Sequence, residues 1–281
     1  MSERYKLILG DNLIELPKIT DKSIDSVICD PPYPHLLREY GYWTENQWHI
    51  LMGQVILEVR RILKPTGSAI FVLQSNHETP GKLRSWLWEF LAKYSKEWNL
   101  IQDIYAWNYT CMPTTHCSRK YGLLRPSVKI CAWFGPINCY RNQDAVLWEQ
   151  SDANRAHKLS NRALKKYPSG SSMREGRCIS TANERGGSTP FNMIPISSGN
   201  GKKQGSKHGA ATPLDLCRWM VNYITPPNGS ILDPFCGSGT IGEAALMHGF
   251  NYIGIEQKEE YYKESQKRLD HIEKTLENSI L

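Results

Sequence analysis

Residues 230–256, SILDPFCGSGTIGEAALMHGFNYIGIE, constrain the fold more than any other stretch of the chain. SILD reads as a short apolar strand, PFCGSGT as a glycine-rich turn, GTIGEAALMHG as a helix, and NYIGIE as a second strand ending in an acid. Strand, helix and strand in that order argue for a sheet dominated by parallel strands, with helices on both faces. Gly237 and Gly239 let the backbone approach a ligand closely, and the helix that follows presents free amides at its N-terminus. Glu256 stands where a carboxylate accepts hydrogen bonds from ribose hydroxyls in nucleoside-binding sheets. No lysine follows the second glycine, so the turn is not a phosphate-binding P-loop. A nucleoside site is the expectation.

The N-terminal part repeats the alternation. YKLIL (5–9) and SVIC (26–29) read as strands, and the second has the short, wholly apolar character of a sheet centre. A helical pattern over 45–63 stops at KPTG (64–67), before a buried strand over 68–74. Another helix is expected over 83–94, and 101–107 with 128–134 form a terminal strand pair. Helices are also expected over 212–224, 239–249 and 257–276.

From 136 to 206 the pattern fails. Gly, Ser, Asn, Arg and Lys dominate, as in PSGSS and ERGGSTP. Eleven Lys and Arg face three acids over 151–207, an excess of +8 in a chain whose net charge is +6. A basic insert in an otherwise near-neutral protein is the electrostatic footprint of a nucleic-acid binder. The expected organisation is therefore 1–135, an insert at 136–206, and 207–281. No run reaches the roughly 18 apolar residues of a membrane span, and MSERYKLILGD has no signal-peptide core. A cytoplasmic, nucleoid-associated protein is expected. The eight cysteines include no CxxC pair, so thiols rather than bridges are expected. Cys111, His116 and Cys117 lack the second paired spacing of a zinc site, and no metal is expected.

After SVIC comes CDPPYPH (29–35). Two prolines fix φ twice and remove two backbone donors, so the strand must end there. Why a carboxylate and an aromatic ring should flank so stiff a turn is a question of chemistry.

With DPPY at 30–33 and DPFCGSGT at 233–240, the chain resembles the DNA amino-methyltransferases that use S-adenosylmethionine. The catalytic motif precedes the cofactor motif, with an insert between, which is the order of their permuted β group. LILGD (7–11), LKPTGSAIFV (63–72), KHGAATPLDL (207–216) and GIEQKEEY (254–261) extend the resemblance over nearly the whole chain. It implies an α/β, Rossmann-like methyltransferase sheet, circularly permuted, with 136–206 as an inserted target-recognition region. The flanking segments would be the catalytic and cofactor-binding halves of one domain.

The same resemblance implies roles. Asp30 and the Pro31 carbonyl would accept hydrogen bonds from the target amine, Pro32 would stiffen the turn, and Tyr33 would stack on a flipped base. Phe235, Cys236, Gly237, Ser238, Gly239 and Thr240 would surround the methionine end of the cofactor, above Asp233. Glu256 would hold the ribose, Asp11 would lie near the adenine, and Thr212 and Pro213 would close over the methionine moiety. Cys236 reads as a loop residue rather than a nucleophile. Arg174, Arg177 and Arg185 would read bases, while Lys202 and Lys203 would contact phosphate.

Which amine is methylated is contested within the sequence. Asp at position 30 is the commoner adenine-N6 signature, since cytosine-N4 enzymes usually carry Ser there. LREYG (37–41), YPSGSSMREGRC (167–178) and GGSTPFNMIPISSGNG (186–201) instead resemble the PvuII-type cytosine-N4 subgroup. The reading leans to cytosine N4, with adenine N6 as the alternative. Carbon-5 chemistry is rejected because no Pro-Cys dipeptide is present. RNA and protein-glutamine methyltransferases usually place the cofactor motif first. A catalytically dead binding module would not need Asp30, Tyr33 and Glu256 intact. The partners expected are double-stranded DNA, a second copy as homodimer, and a cognate restriction endonuclease encoded separately, since no nuclease domain remains in this length.

Overall fold

The computed structural model describes residues 4–37, 41–112, 114–149, 165–166, 172–173, 184–197 and 211–278. They fall into two compact units, Met1–Arg141 with Asn192–Leu281, and Asn142–Phe191.

The larger unit is built on an eight-stranded sheet. Its strands are β1 (Tyr5–Leu9), β2 (Ile24–Cys29), β3 (Leu63–Leu73), β6 (Leu100–Asn108), β7 (Val128–Phe134), β10 (Met193–Ile196), β11 (Ser230–Asp233) and β12 (Asn251–Glu256). A small hairpin, β4 (His77–Thr79) and β5 (Lys82–Leu83), precedes the second long helix, and a ribbon of β8 (Lys165–Lys166) and β9 (Ser172–Met173) belongs to the other unit. The sheet order is β1-β12-β11-β2-β3-β7-β6-β10. All neighbours run parallel except β7, which is antiparallel to both β3 and β6. All six residues of β2 are buried, as a central parallel strand requires.

Helices cover both faces. Thr44 opens α2 (Glu45–Ile62) with a capping box, its hydroxyl accepting from the Gln47 amide at 3.3 Å while Gln47 Oε1 accepts from the Thr44 amide at 3.0 Å. Trp48, Met52, Val55, Ile56 and Val59 recur at helical spacing on its buried face. They pack with α3 (Trp86–Glu97) against β2, β3 and β7, around the rings of Trp48, Trp86, Phe90, Phe71 and Phe134. Burying each such ring contributes up to about 3 kcal/mol. Helix α4 (Leu214–Ile224) takes the opposite face, where Trp133 lies 5.3 Å from Tyr223 between ring centroids and Ser26 shares a 2.8 Å hydrogen bond with Thr225. Helices α5 (Thr240–Met247) and α6 (Glu259–Asn278) complete the chain, and a one-turn helix, α1 (Asn12–Glu15), follows β1.

Two expectations change here. KPTG is no simple turn: Leu63 pairs with Ile24 and Ser68 with Ser26, so 64–67 swell out of the ladder beside Asp25. Lys64 Nζ closes that bulge on Asp25 Oδ2 at 2.8 Å. The span 136–206 is not wholly outside the sheet either. Residues 193–196 form β10, parallel to β6, with Ile194 and Ile196 buried and Met193 exposed. Pro195 is tolerated because β10 is an edge strand.

In the smaller unit Trp148 and Ser188 exchange backbone hydrogen bonds of 2.9 and 2.8 Å, and Asp144 pairs with Arg185. Among the described residues no helix is long and apolar enough to cross a membrane, and no group of side chains suits a metal ion.

Candidate active site

The site arises where the sheet changes direction. Strands β11 and β2 are parallel neighbours, with Ile231 facing Ser26 and Leu232 facing Val27. The chain leaving β11 returns as β12 on one side, whereas that leaving β2 returns as β3 on the other. Their carboxyl ends therefore diverge and leave a crevice, the place where open α/β sheets bind ligands. Each strand leads into an Asp-Pro pair, and the turns 30–33 and 233–240, some 200 residues apart in sequence, border one cavity of about 790 Å³.

Asp30, Pro31, Pro32 and Tyr33 line one part of it. Trp48 Nε1 donates to the Pro32 carbonyl at 2.6 Å, and Asn76 Nδ2 donates to the Pro34 carbonyl at 2.6 Å. Trp86 Nε1 in turn donates to Asn76 Oδ1 at 3.1 Å. Buried indoles of α2 and α3 thus hold the turn by its carbonyls. The Tyr33 hydroxyl stands 2.5 Å from Asp30 Oδ1 and 3.2 Å from the Val72 carbonyl, with its ring 6.1 Å from that of Trp86. Lys129 Nζ and Thr212 Oγ1 both donate to Asp30 Oδ2, at 2.7 and 2.8 Å.

Asp11, Thr212, Pro213, Asp233, Phe235, Cys236, Gly237, Ser238, Thr240 and Glu256 line the rest. Glu256 is half-buried, and burial pushes its carboxyl above the ordinary range. Its two oxygens accept from the amides of Gly237 at 2.9 Å and Lys258 at 2.8 Å. Asp233 is buried and its carboxyl is pushed up to about 8, chiefly by desolvation, although the Phe235 amide donates to it at 3.0 Å. Asp11 caps α1 by accepting from the Leu13 amide, and Asn12 Nδ2 ties that helix to the Pro234 carbonyl at 3.2 Å. Burial and the nearby carboxylates hold the Cys236 thiol far above its ordinary pKa, which suits a loop residue and not a nucleophile.

Gly239 departs from the expectation. It does not line the cavity; its φ of +77° and a Cβ position 2.8 Å from that of Ser265 show a left-handed residue packed against α6. Thr212 lines the cavity, and its hydroxyl also donates to Asp30. Arg185 lies in the smaller unit, where Asp144 and Thr189 accept from its guanidinium. Arg174, Arg177, Lys202 and Lys203 lie outside the described residues. Sequence reasoning missed Lys129, whose one signal was a cation inside an otherwise apolar strand, VKICAWF.

The arrangement joins a turn rich in hydrogen-bond acceptors to a glycine-rich loop and the carboxylate of Glu256 on one cavity wall. The amides of Gly237, Gln257 and Lys258 all bond to Glu256, so about one of its four acceptor positions is left for a ligand hydroxyl. These residues fit S-adenosylmethionine, and the volume falls in the range of small-molecule sites.

Comparison with known proteins agrees. Residues 24–267 match a family of N6 and N4 methyltransferases described as DNA methylase. The DNA adenine methyltransferase YhdJ of Escherichia coli K12 is 25% identical, covering 96% of this chain and 84% of its own. The type II methyltransferase M.PvuII of Proteus hauseri is 28% identical, covering 98% of this chain and 84% of its own. A solved PvuII DNA methyltransferase, described as cytosine-N4-specific, superposes with a TM-score of 0.72 at 20% identity, over 98% of this chain and 92% of that one.

Proposed function

The chain belongs to the N6/N4 DNA methylase family and is a DNA methyltransferase that uses S-adenosylmethionine; from that premise we propose that it methylates cytosine N4 at specific sites in double-stranded DNA. The observation that carries the chemistry is the meeting of the 30–33 and 233–240 turns around one cavity, with Asp30 and Glu256 both on its wall.

An exocyclic amine on a base is a poor nucleophile, because its lone pair is delocalised into the ring. The Asp30 carboxylate and the Pro31 carbonyl accept hydrogen bonds from the amine, drawing its nitrogen toward tetrahedral geometry and freeing the lone pair. Tyr33 supports the flipped base by stacking. Because Trp48 and Asn76 already hold the turn, these acceptors need little reorganisation, and alignment supplies most of the acceleration. When bound, S-adenosylmethionine would supply a sulfonium methyl to the amine lone pair as the carbon–sulfur bond breaks to leave a thioether, and the methylated amine would release its extra proton to water. Glu256 would hold the cofactor's ribose, the 235–240 loop with Asp233 beneath it would surround the methionine end, and Asp11 would lie near the adenine. Pro213, at the head of α4, closes the same wall.

The choice of cytosine rests on the M.PvuII relative and on the PSG and GGS blocks of the insert. Asp30, with the adenine methyltransferase YhdJ among the relatives, favours the second reading, adenine N6. Residues 136–206, with their excess of cations, read the target: Arg174, Arg177 and Arg185 at base edges and Lys202 and Lys203 at phosphates. For Arg185 this requires exchange of its bond to Asp144. A homodimer and a separately encoded restriction endonuclease complete the reading, with the enzyme acting at the nucleoid. Long-read sequencing of DNA from cells expressing the protein tests it, because modified base and context are read together. N4-methylcytosine in one recurrent context is expected; N6-methyladenine would overturn the base assignment, and unmodified DNA the activity.

A further inference from the structure

Asp30 receives three side-chain donors from three parts of the chain. Tyr33 approaches Oδ1, whereas Lys129 from β7 and Thr212 from the segment before α4 both reach Oδ2. A carboxylate offers about four acceptor positions, so one remains, and Asp30 lines the cavity. We propose that Lys129 is a positioning residue for methyl transfer, whose ammonium holds the Asp30 carboxylate turned with its remaining lone pair toward the target amine. This rests on the reading of Asp30 as the acceptor for that amine.

Lys129 is suited to the task by where it stands. Strand β7 lies between β3 and β6, and Lys129 stands opposite Ala106 of β6, one residue before the β3 ladder begins at Ile130, so its backbone is held in the sheet. Its Nζ is 2.7 Å from Asp30 and 5.7 Å from the centre of the Tyr33 ring. One cation therefore orders both functional side chains of the turn. A compact ammonium suits a single shared oxygen better than the broad fork of an arginine, which would compete with Thr212 for Oδ2.

The test compares Lys129→Met and Lys129→Arg in the full chain, by single-turnover methyl transfer at saturating and at limiting DNA, with calorimetry for S-adenosylmethionine. Lys129→Met should slow transfer about 100-fold, the scale of a misplacement near 1 Å. The loss should be equal at saturating and limiting DNA, with the cofactor dissociation constant within about twofold of wild type, the pattern of an interaction realised in the transition state. Lys129→Arg should show the same pattern with a smaller loss, and it carries the test if the Met variant does not fold. A Met variant with wild-type rate, or one impaired only at limiting DNA, would overturn the proposal, as would an Arg variant whose loss appears only at limiting DNA or in cofactor binding. Asp30→Ala separates the two readings: near-wild-type transfer there sinks the acceptor role itself, whereas a dead Asp30 variant beside a normal Lys129→Met sinks only this inference.

Discussion

Gly239→Ala tests whether the second glycine of the cofactor loop serves the ligand or the fold. Two costs can be worked out. At φ +77° an alanine sits in the left-handed region, at about 1–2 kcal/mol. The new Cβ would also lie 2.8 Å from Ser265 Cβ and 3.2 Å from Ser265 Cα, well inside ordinary contact. Ser265 is buried on α6, so relief requires moving helix or loop, at about 1–3 kcal/mol. The sum is a destabilisation of about 2–5 kcal/mol, read by urea unfolding without cofactor. Weakened S-adenosylmethionine binding should accompany it, since Gly237, two residues away, donates its amide to Glu256. Gly239→Ala/Ser265→Gly keeps the φ cost and removes the closest contact, so it should be less destabilised by the Gly239 change than the Ser265→Gly background predicts for additive effects. A Gly239→Ala protein as stable as wild type, with cofactor binding alone impaired, would refute the packing argument and restore the ligand-approach reading.

Three further outcomes are expected. Asp30→Ala should abolish methyl transfer while leaving cofactor binding largely intact, as seen by a tritium-transfer assay beside calorimetry. Glu256→Ala should weaken cofactor binding by about 1–3 kcal/mol; an unchanged dissociation constant would remove Glu256 from the ribose site. Asp233 is held protonated by burial up to about pH 8, whereas the unfolded chain releases that proton near pH 4. The folded state thus binds the extra proton across that window, and its stability should fall as pH rises through it. Asp233→Asn should flatten that slope, and urea midpoints near pH 5 and pH 8 measure the difference.

Local sequence determined the crossover unit at 230–256 and the two Asp-Pro turns. An apolar run followed by prolines or glycines leaves the backbone few choices, and those signals act within ten residues. The capping box at Thr44 and the buried stripe of α2 are legible for the same reason. Other features were decided only in three dimensions. MIPI (193–196) carries a proline in a glycine- and serine-rich stretch, and only the open edge beside β6 makes it a strand. Gly239 looks like a ligand-approach glycine until α6 packs against it, because the sequence does not state which neighbour fills the space of a missing Cβ. Lys129 is an oddity in an apolar strand until β7 inserts between β3 and β6 and brings it to Asp30, 99 residues away in sequence. Thr212 reaches the same carboxylate across 182 residues. Local chemistry set which turns could hold ligands, and strand order alone set which side chains meet there, because pairing across a sheet depends on long-range burial that no short window encodes.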